Sequence, residues 1–137
     1  MRITVVDGQG GKLGSQLVER LSAAFPDADI TAIGTNGAAT SAMLKGGAKA
    51  AATGENALVV ACRKSDVIVG PIGIVIADAL MGEITPEMAV AVGSSNAARV
   101  LLPVSKCDNY IACAANSTVS EMIDDAVKKI REISAKA

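Results

Sequence analysis

The sequence predicts an α/β fold, a doubly wound sheet with helices on both faces and most of its strands parallel. Three observations carry this expectation. Short β-branched segments alternate with longer amphipathic ones along the 137 residues. The first of those segments runs through a glycine-rich turn into a helix-like stretch, "VVDGQGGKLGSQLVERL". Half of the chain is apolar, yet it has one Phe, one Tyr and no Trp, so Ala, Val, Ile, Leu and Met must fill a core in which sheet and helices approach closely.

Taken in order, residues 2–7 (RITVVD) are β-branched and end at a glycine, which reads as a buried strand. Residues 12–25 place Leu13, Leu17, Leu21 and Phe25 four apart, with Val18 and Ala24 beside them, as one apolar stripe of a helix that Pro26 and Asp27 stop. Residues 28–34 form a second strand, 37–47 a short Ala-rich helix closed by two glycines, and 48–53 a weak third strand. A helix over 55–64 precedes a strand over 66–70, and 73–82 is a helix or turn in apolar surroundings. Thr85 as cap, Pro86 at the first position and Glu87 in the first turn start a helix over 85–92.

Residues 99–104 are a further strand. The link "SKCDN" is too short for a crossover, so the strand expected at 110–114 should run antiparallel beside its predecessor. The last helix, 118–135, opens with Thr118 and Glu121 in capping-box spacing. Val119, Met122, Ile123, Ala126, Val127 and Ile130 make its inner stripe, and acids at 121–125 precede bases at 128–131. No repeat or linker divides the chain, and 1–137 reads as one domain. The order of elements implies a three-layer, Rossmann-like sheet, 3-2-1-4-5, with an antiparallel C-terminal edge strand.

Composition excludes several classes. The net charge is −1 with no Lys/Arg block, and stacking aromatics are nearly absent, which argues against nucleic acid as a partner. The richest apolar stretch, "IGIVIADALM", is interrupted by Asp78 and is shorter than the roughly 20 residues a membrane span needs. The apolar run after Arg2 is too short for a signal-peptide core. Cys62, Cys107 and Cys113 are odd in number and lack CxxC spacing, so a reduced, cytoplasmic setting is expected and no disulfide framework. Without histidine the chain lacks the commonest general base and metal ligand, and no metal site is expected.

Gly8, Gly11 and Gly14, with Gly10 added, follow a strand and open a helix, the context a dinucleotide fingerprint requires. Gly8 suits the tight turn, Gly10 and Gly11 let a pyrophosphate reach the helix start, and Gly14 allows close helix–sheet packing. Gln9, Lys12 and Leu13 complete this candidate phosphate loop, which is no Walker loop because no GK[ST] follows. Asp7 beside it could repel an anion, hold a metal-bridged phosphate or cap the turn, and the cap is favoured.

The second strand ends in Gly34, Thr35 and Asn36, without the acid that would bind an adenosine ribose or the Arg that would meet a 2′-phosphate. Thr35 and Asn36 could bond a ribose, cap the next helix, or both. Gly70, Pro71, Ile72 and Gly73 form a rigid turn expected to face the first glycine loop at the switch in strand order. "TGEN" reaches the same rim, with Glu55 as the candidate acid–base group or as the first-turn acid of a helix that Thr53 caps. Cys107, next to Lys106, is a candidate reactive thiol or a bystander, and Cys62 and Cys113 read as small buried residues. Glycine-, Thr- and Asn-rich loops thus gather at the carboxyl ends of strands, and the opposite ends are ordinary solvated connections.

The combination of "DGQGG", "GTN", "TGEN" and "GPIGI", spread over nearly the whole chain, resembles a family of short bacterial proteins, the domain of unknown function DUF3842. The resemblance implies that these blocks belong to one stand-alone protein and brings no activity with it. More loosely, the first and fourth blocks resemble the cofactor halves of Rossmann NAD(P)-binding domains. The first function expected is binding of a nucleotide, NAD or NADP foremost, with FAD, FMN or another nucleotide possible, and NAD(P)-dependent oxidoreduction if there is catalysis. The alternatives are a non-catalytic nucleotide sensor or accessory subunit, and an enzyme acting on a small anionic metabolite with Glu55 as base. The apolar segment 72–81 suggests a contact in a homo-oligomer.

Overall fold

Strand β1 (Arg2–Asp7) is the centre of a five-stranded sheet of order β3-β2-β1-β4-β5, flanked by β2 (Asp29–Gly34) and β4 (Val67–Pro71), with β3 (Ala50–Thr53) and β5 (Ala98–Leu102) at the edges. All four pairings are parallel. This is a computed structural model, and it describes residues 1–104, 108–112 and 116–137. The expected strand order is the one observed. Consecutive strands are joined through α1 (Lys12–Ala24), α2 (Gly37–Lys45), α3 (Glu55–Lys64) and α4 (Pro86–Gly93), the helical connections that parallel pairing needs. In register, Asp7 pairs with Gly34 and Gly34 with Thr53, so the carboxyl ends of β1, β2 and β3 lie level at one rim.

Strand pleating sorts the core into two layers. Ile3 and Val5 of β1 and Val67 and Val69 of β4 face Leu17, Val18 and Leu21 of α1, Met43 of α2, and Ile123, Ala126 and Ile130 of α5 (Val119–Ala135). Val6 and Ile68 face the other way, toward Leu58 and Cys62 of α3 and Met88 and Val92 of α4. Alanine and valine are small enough to let these layers close without aromatic filler. The starts of α4 and α5 are as expected. The Thr85 hydroxyl accepts the Met88 amide at 3.1 Å. Thr118 and Glu121 exchange the two bonds of a capping box, each 3.1 Å.

Two expectations are corrected. The antiparallel sixth strand is absent among the described residues. Tyr110, Ile111 and Ala112 carry no ladder and Tyr110 is 92% exposed, while Cys113 and Ala114 lie outside the described residues. Pro103 ends β5, and the Val104 amide bonds back to the Leu102 carbonyl at 2.8 Å, a tight turn at the end of the strand. An apolar run of five residues was ambiguous by periodicity alone. The cap of α3 is Gly54, not Thr53, whose hydroxyl bonds Thr40 at 2.7 Å.

The segment after β4 resolves into a single 3₁₀ turn, Ile72–Val75, followed by consecutive turns up to Ile84. Bonds from the Asp78 amide to the Ile84 carbonyl (2.7 Å) and from the Ile84 amide to the Ala79 carbonyl (3.1 Å) close a loop. Asp78, Leu80 and Met81 hold positive φ there, at 65°, 56° and 56°, which non-glycine residues rarely adopt. Ile74 and Ile84 are fully buried in this chain's own second core layer, so most of the segment's apolarity finds cover within the molecule.

Candidate functional site

The β1–α1 loop is built around Asp7. The Gly8 amide donates to one carboxylate oxygen at 2.8 Å and the Gly14 amide to the other at 2.7 Å. Asp7 therefore caps the turn and the first turn of α1, the favoured one of its three expected roles. Burial pushes its carboxyl above the ordinary 3.8, the two amides pull it partly back, and the charge of Glu83 adds to the rise. The Gly11 amide bonds the Gly8 carbonyl at 2.9 Å to close the loop.

The four glycines answer to different demands. Gly11 has φ +73°, and a Cβ there would come within 2.7 Å of the Ala39 backbone on α2. A Cβ on Gly14 would come within 2.7 Å of the Asp7 Cβ, and one on Gly8 within 2.6 Å of the Thr35 hydroxyl and 2.9 Å of Leu80. These three are required by the protein's own packing. Only Gly10 has nothing within 4 Å of its Cβ position. The amides of Gly10, Lys12 and Leu13 have no partner among the described residues.

Gly10 opens onto a cavity of about 850 Å³. The loop from Gly8 to Leu13 forms one wall, and Pro71, Ile72 and Gly73 form another. Residues of both glycine turns expected at the switch in strand order thus line one cavity. Gly70 does not line the cavity. It lies within β4, where a Cβ would run into the Val6 carbonyl. A third wall comes from Ile76, Ala79, Leu80 and Met81, and Gln16, Val104, Asn109 and Val119 contribute to the rest. None of these was singled out from the sequence as a site residue. The apolar loop read as a subunit contact, and Val119, placed in the inner stripe of α5, is 41% exposed. The ionisable side chains on the described wall are Asp7 and Lys12.

The end of β2 is arranged differently. Gly34, Thr35 and Asn36 do not line the cavity. The Asn36 side chain caps α2 by accepting the Ala39 amide at 2.9 Å and donates to the Gln9 carbonyl at 2.9 Å. The group that ties this corner together is Glu83. Its Oε1 accepts from the Thr35 hydroxyl at 2.6 Å, the Asn36 amide group at 2.6 Å and the Gln9 backbone amide at 3.0 Å. Burial works against ionising Glu83, but the bonds from Thr35, Gln9 and Asn36 together outweigh it and hold the carboxyl below the ordinary 4.5. Glu83 stands 48 residues from Thr35, and no motif spacing pointed to it.

Two candidates lie elsewhere. Glu55 is exposed at the start of α3 and accepts the Thr85 hydroxyl at 2.5 Å, linking the starts of α3 and α4, and it is not on the cavity wall. Cys107 lies outside the described residues. Cys62 is buried, and that burial pushes its thiol up to about 11, away from thiolate chemistry at neutral pH.

Among the described residues, no helix is long and apolar enough to cross a membrane. A search for relatives among curated proteins finds no match to this chain. One family model covers residues 2–135, and by that match the chain belongs to the family described as "Domain of unknown function (DUF3842)".

Proposed function

We propose that this protein binds a nucleotide, a dinucleotide of the NAD or NADP type first, with its phosphates at the Gly8–Leu13 loop and its rings against the apolar walls of the cavity. The observation that carries the proposal is the shared cavity: a backbone loop with free amides and a second glycine turn line one space of about 850 Å³, within the range of small-molecule sites. Leu13, Ile72 and Leu80 offer flat apolar surface to a base or a nicotinamide, and Lys12 supplies the cation. Asp7 sits where the helix end would present roughly half a positive charge, and it offsets much of that field. Phosphate affinity then rests on direct amide bonds and on Lys12, and should weaken as salt rises.

One observation favours binding without chemistry, as in a sensor or accessory subunit. Both oxygens of Asp7 are taken by amides, and Glu55 is not at the cavity, so the described wall carries no free acid–base pair. Pairing of two copies at Met81, 87% exposed beside the cavity, belongs to the same proposal, and sedimentation showing a monomer at all concentrations would remove that part.

The test is thermal unfolding with NAD, NADP, FAD, FMN and ATP, for the wild type and for Gly10→Val. A ligand at about 100 times its Kd adds roughly 2.7 kcal/mol to stability, a shift of several degrees. The expected result is such a shift with at least one dinucleotide in the wild type, and none in an equally stable Gly10→Val. A wild type indifferent to all five nucleotides overturns the proposal.

A further inference from the structure

We propose that residues 76–83 are a gate over the cavity, and that Glu83, without touching the guest, is the latch that holds the gate shut. A gate serves whatever guest the cavity takes, so this inference does not rest on the nucleotide reading. The two ends of the span are fixed: Ile74 before it and Ile84 after it are fully buried in the second core layer. Between them Ala77, Asp78, Met81 and Gly82 are exposed, and Ile76, Ala79, Leu80 and Met81 make the cavity's third wall. A Cβ on Gly8 would stand 2.9 Å from Leu80 Cδ1 and one on Gly73 3.6 Å from its Cδ2, so Leu80 seats on one glycine of each turn. A span anchored at its ends, exposed along its length and seated over a cavity is a part of a fold that opens at low cost.

The backbone bonds of the span close on themselves. The amides of Ile76, Asp78, Ala79, Gly82, Glu83 and Ile84 all find acceptors between residues 73 and 84. Among the described residues, the hydrogen bonds that tie 77–83 to any other element all end on Glu83 Oε1. That oxygen accepts from Thr35 and Asn36 at the end of β2 and from the Gln9 amide in the first glycine loop. Against this tie stands the backbone. Asp78, Leu80 and Met81 hold positive φ on the gate, and Gln9 holds 51° on the other side of the latch. Non-glycine residues keep such angles only where their surroundings impose them, so release of one carboxylate lets four residues relax. The latch also reaches the cavity's first wall. The Gln9 peptide is held at both ends, its amide by Glu83 and its carbonyl by the Asn36 side chain at 2.9 Å, so the gate and the first glycine loop let go together.

The experiment is residue-resolved amide hydrogen exchange of the whole chain, without ligand, for the wild type and Glu83→Ala. The amides of Asp78, Gly82 and Ile84 report the gate, and none of them bonds the Glu83 side chain. Gln9 reports the latch, and Val5 and Val6 in the central strand report global unfolding. In the wild type the three gate amides and Gln9 should exchange through one common opening, well ahead of Val5 and Val6. In Glu83→Ala the gate amides should exchange at least about tenfold faster relative to the strand. Access is read by maleimide labelling of Ile72→Cys on the cavity wall, expected about tenfold faster when Glu83→Ala is added. Gate amides as slow as the strand, a variant in which gate and strand speed up equally, or labelling that Glu83→Ala leaves unchanged overturns the inference. Should Glu83→Ala fail to fold, Thr35→Val removes one of the three donors, and the same comparison decides with an expected change of about threefold.

Discussion

Gly10 and Gly11 are neighbours in one loop, yet a side chain at each would meet different obstacles. At Gly11 it would take a left-handed backbone and press on α2; at Gly10 it would meet nothing within 4 Å, on a loop that lines the cavity. Gly11→Val should therefore cost more than about 2 kcal/mol in denaturant titration, whether or not a ligand exists. Glycine density in the sequence could not separate these roles, because a turn, a close helix and a bound phosphate all favour a missing Cβ. Asp7 and Glu83 make a second contrast. The lowered titration of Glu83 gives stability that is complete above its ordinary 4.5 and is lost as pH falls through its folded value. Asp7 is raised, so its ionised form costs the fold, and that cost is relieved as pH falls through its folded value toward 3.8. Urea titrations across pH should show the stability gap between wild type and Glu83→Gln closing below 4.5. A gap constant through that window would mean that the three bonds to Glu83 do not hold its charge.

Helix starts were the elements most open to sequence reading, because capping is local chemistry. Thr85, Thr118 and Glu121 form the bonds their spacing implies. Thr118→Ala should cost about 1 kcal/mol, read from the loss of α5 stability in chemical unfolding. Asp7 caps α1 from outside the helix, across the turn, and its loss should cost more. Asp7→Ala leaves the Gly8 and Gly14 amides without their acceptor inside the protein, roughly 1–3 kcal/mol for each. The same measurement should rank the two variants in that order. Where an element depends on distant partners, sequence reading fell short. The run "YIACA" has strand composition, but its described residues, 110–112, carry no ladder, and a tight turn at Pro103 ends the strand before it. The loop from Ile76 to Ile84 lies largely in the stretch 73–82 that reads as a helix or a turn, and its shape depends on three residues at positive φ that no composition announces.

Across the whole molecule, the strand order and the two core layers were legible because alternation and connection length leave few ways to wind a parallel sheet. That residues of both glycine turns line one cavity followed from that order alone. The third wall of the cavity and the Glu83 corner did not, since both come from one irregular loop folded back over the rim. The account stands on where a guest would sit, and amide resonances report that directly. In a nitrogen-15 amide spectrum titrated with NAD, the signals of Gly10, Lys12, Leu13 and Gly73 should move together and saturate at one affinity. A spectrum that leaves those four in place, or moves only residues away from the two glycine turns, would contradict the site.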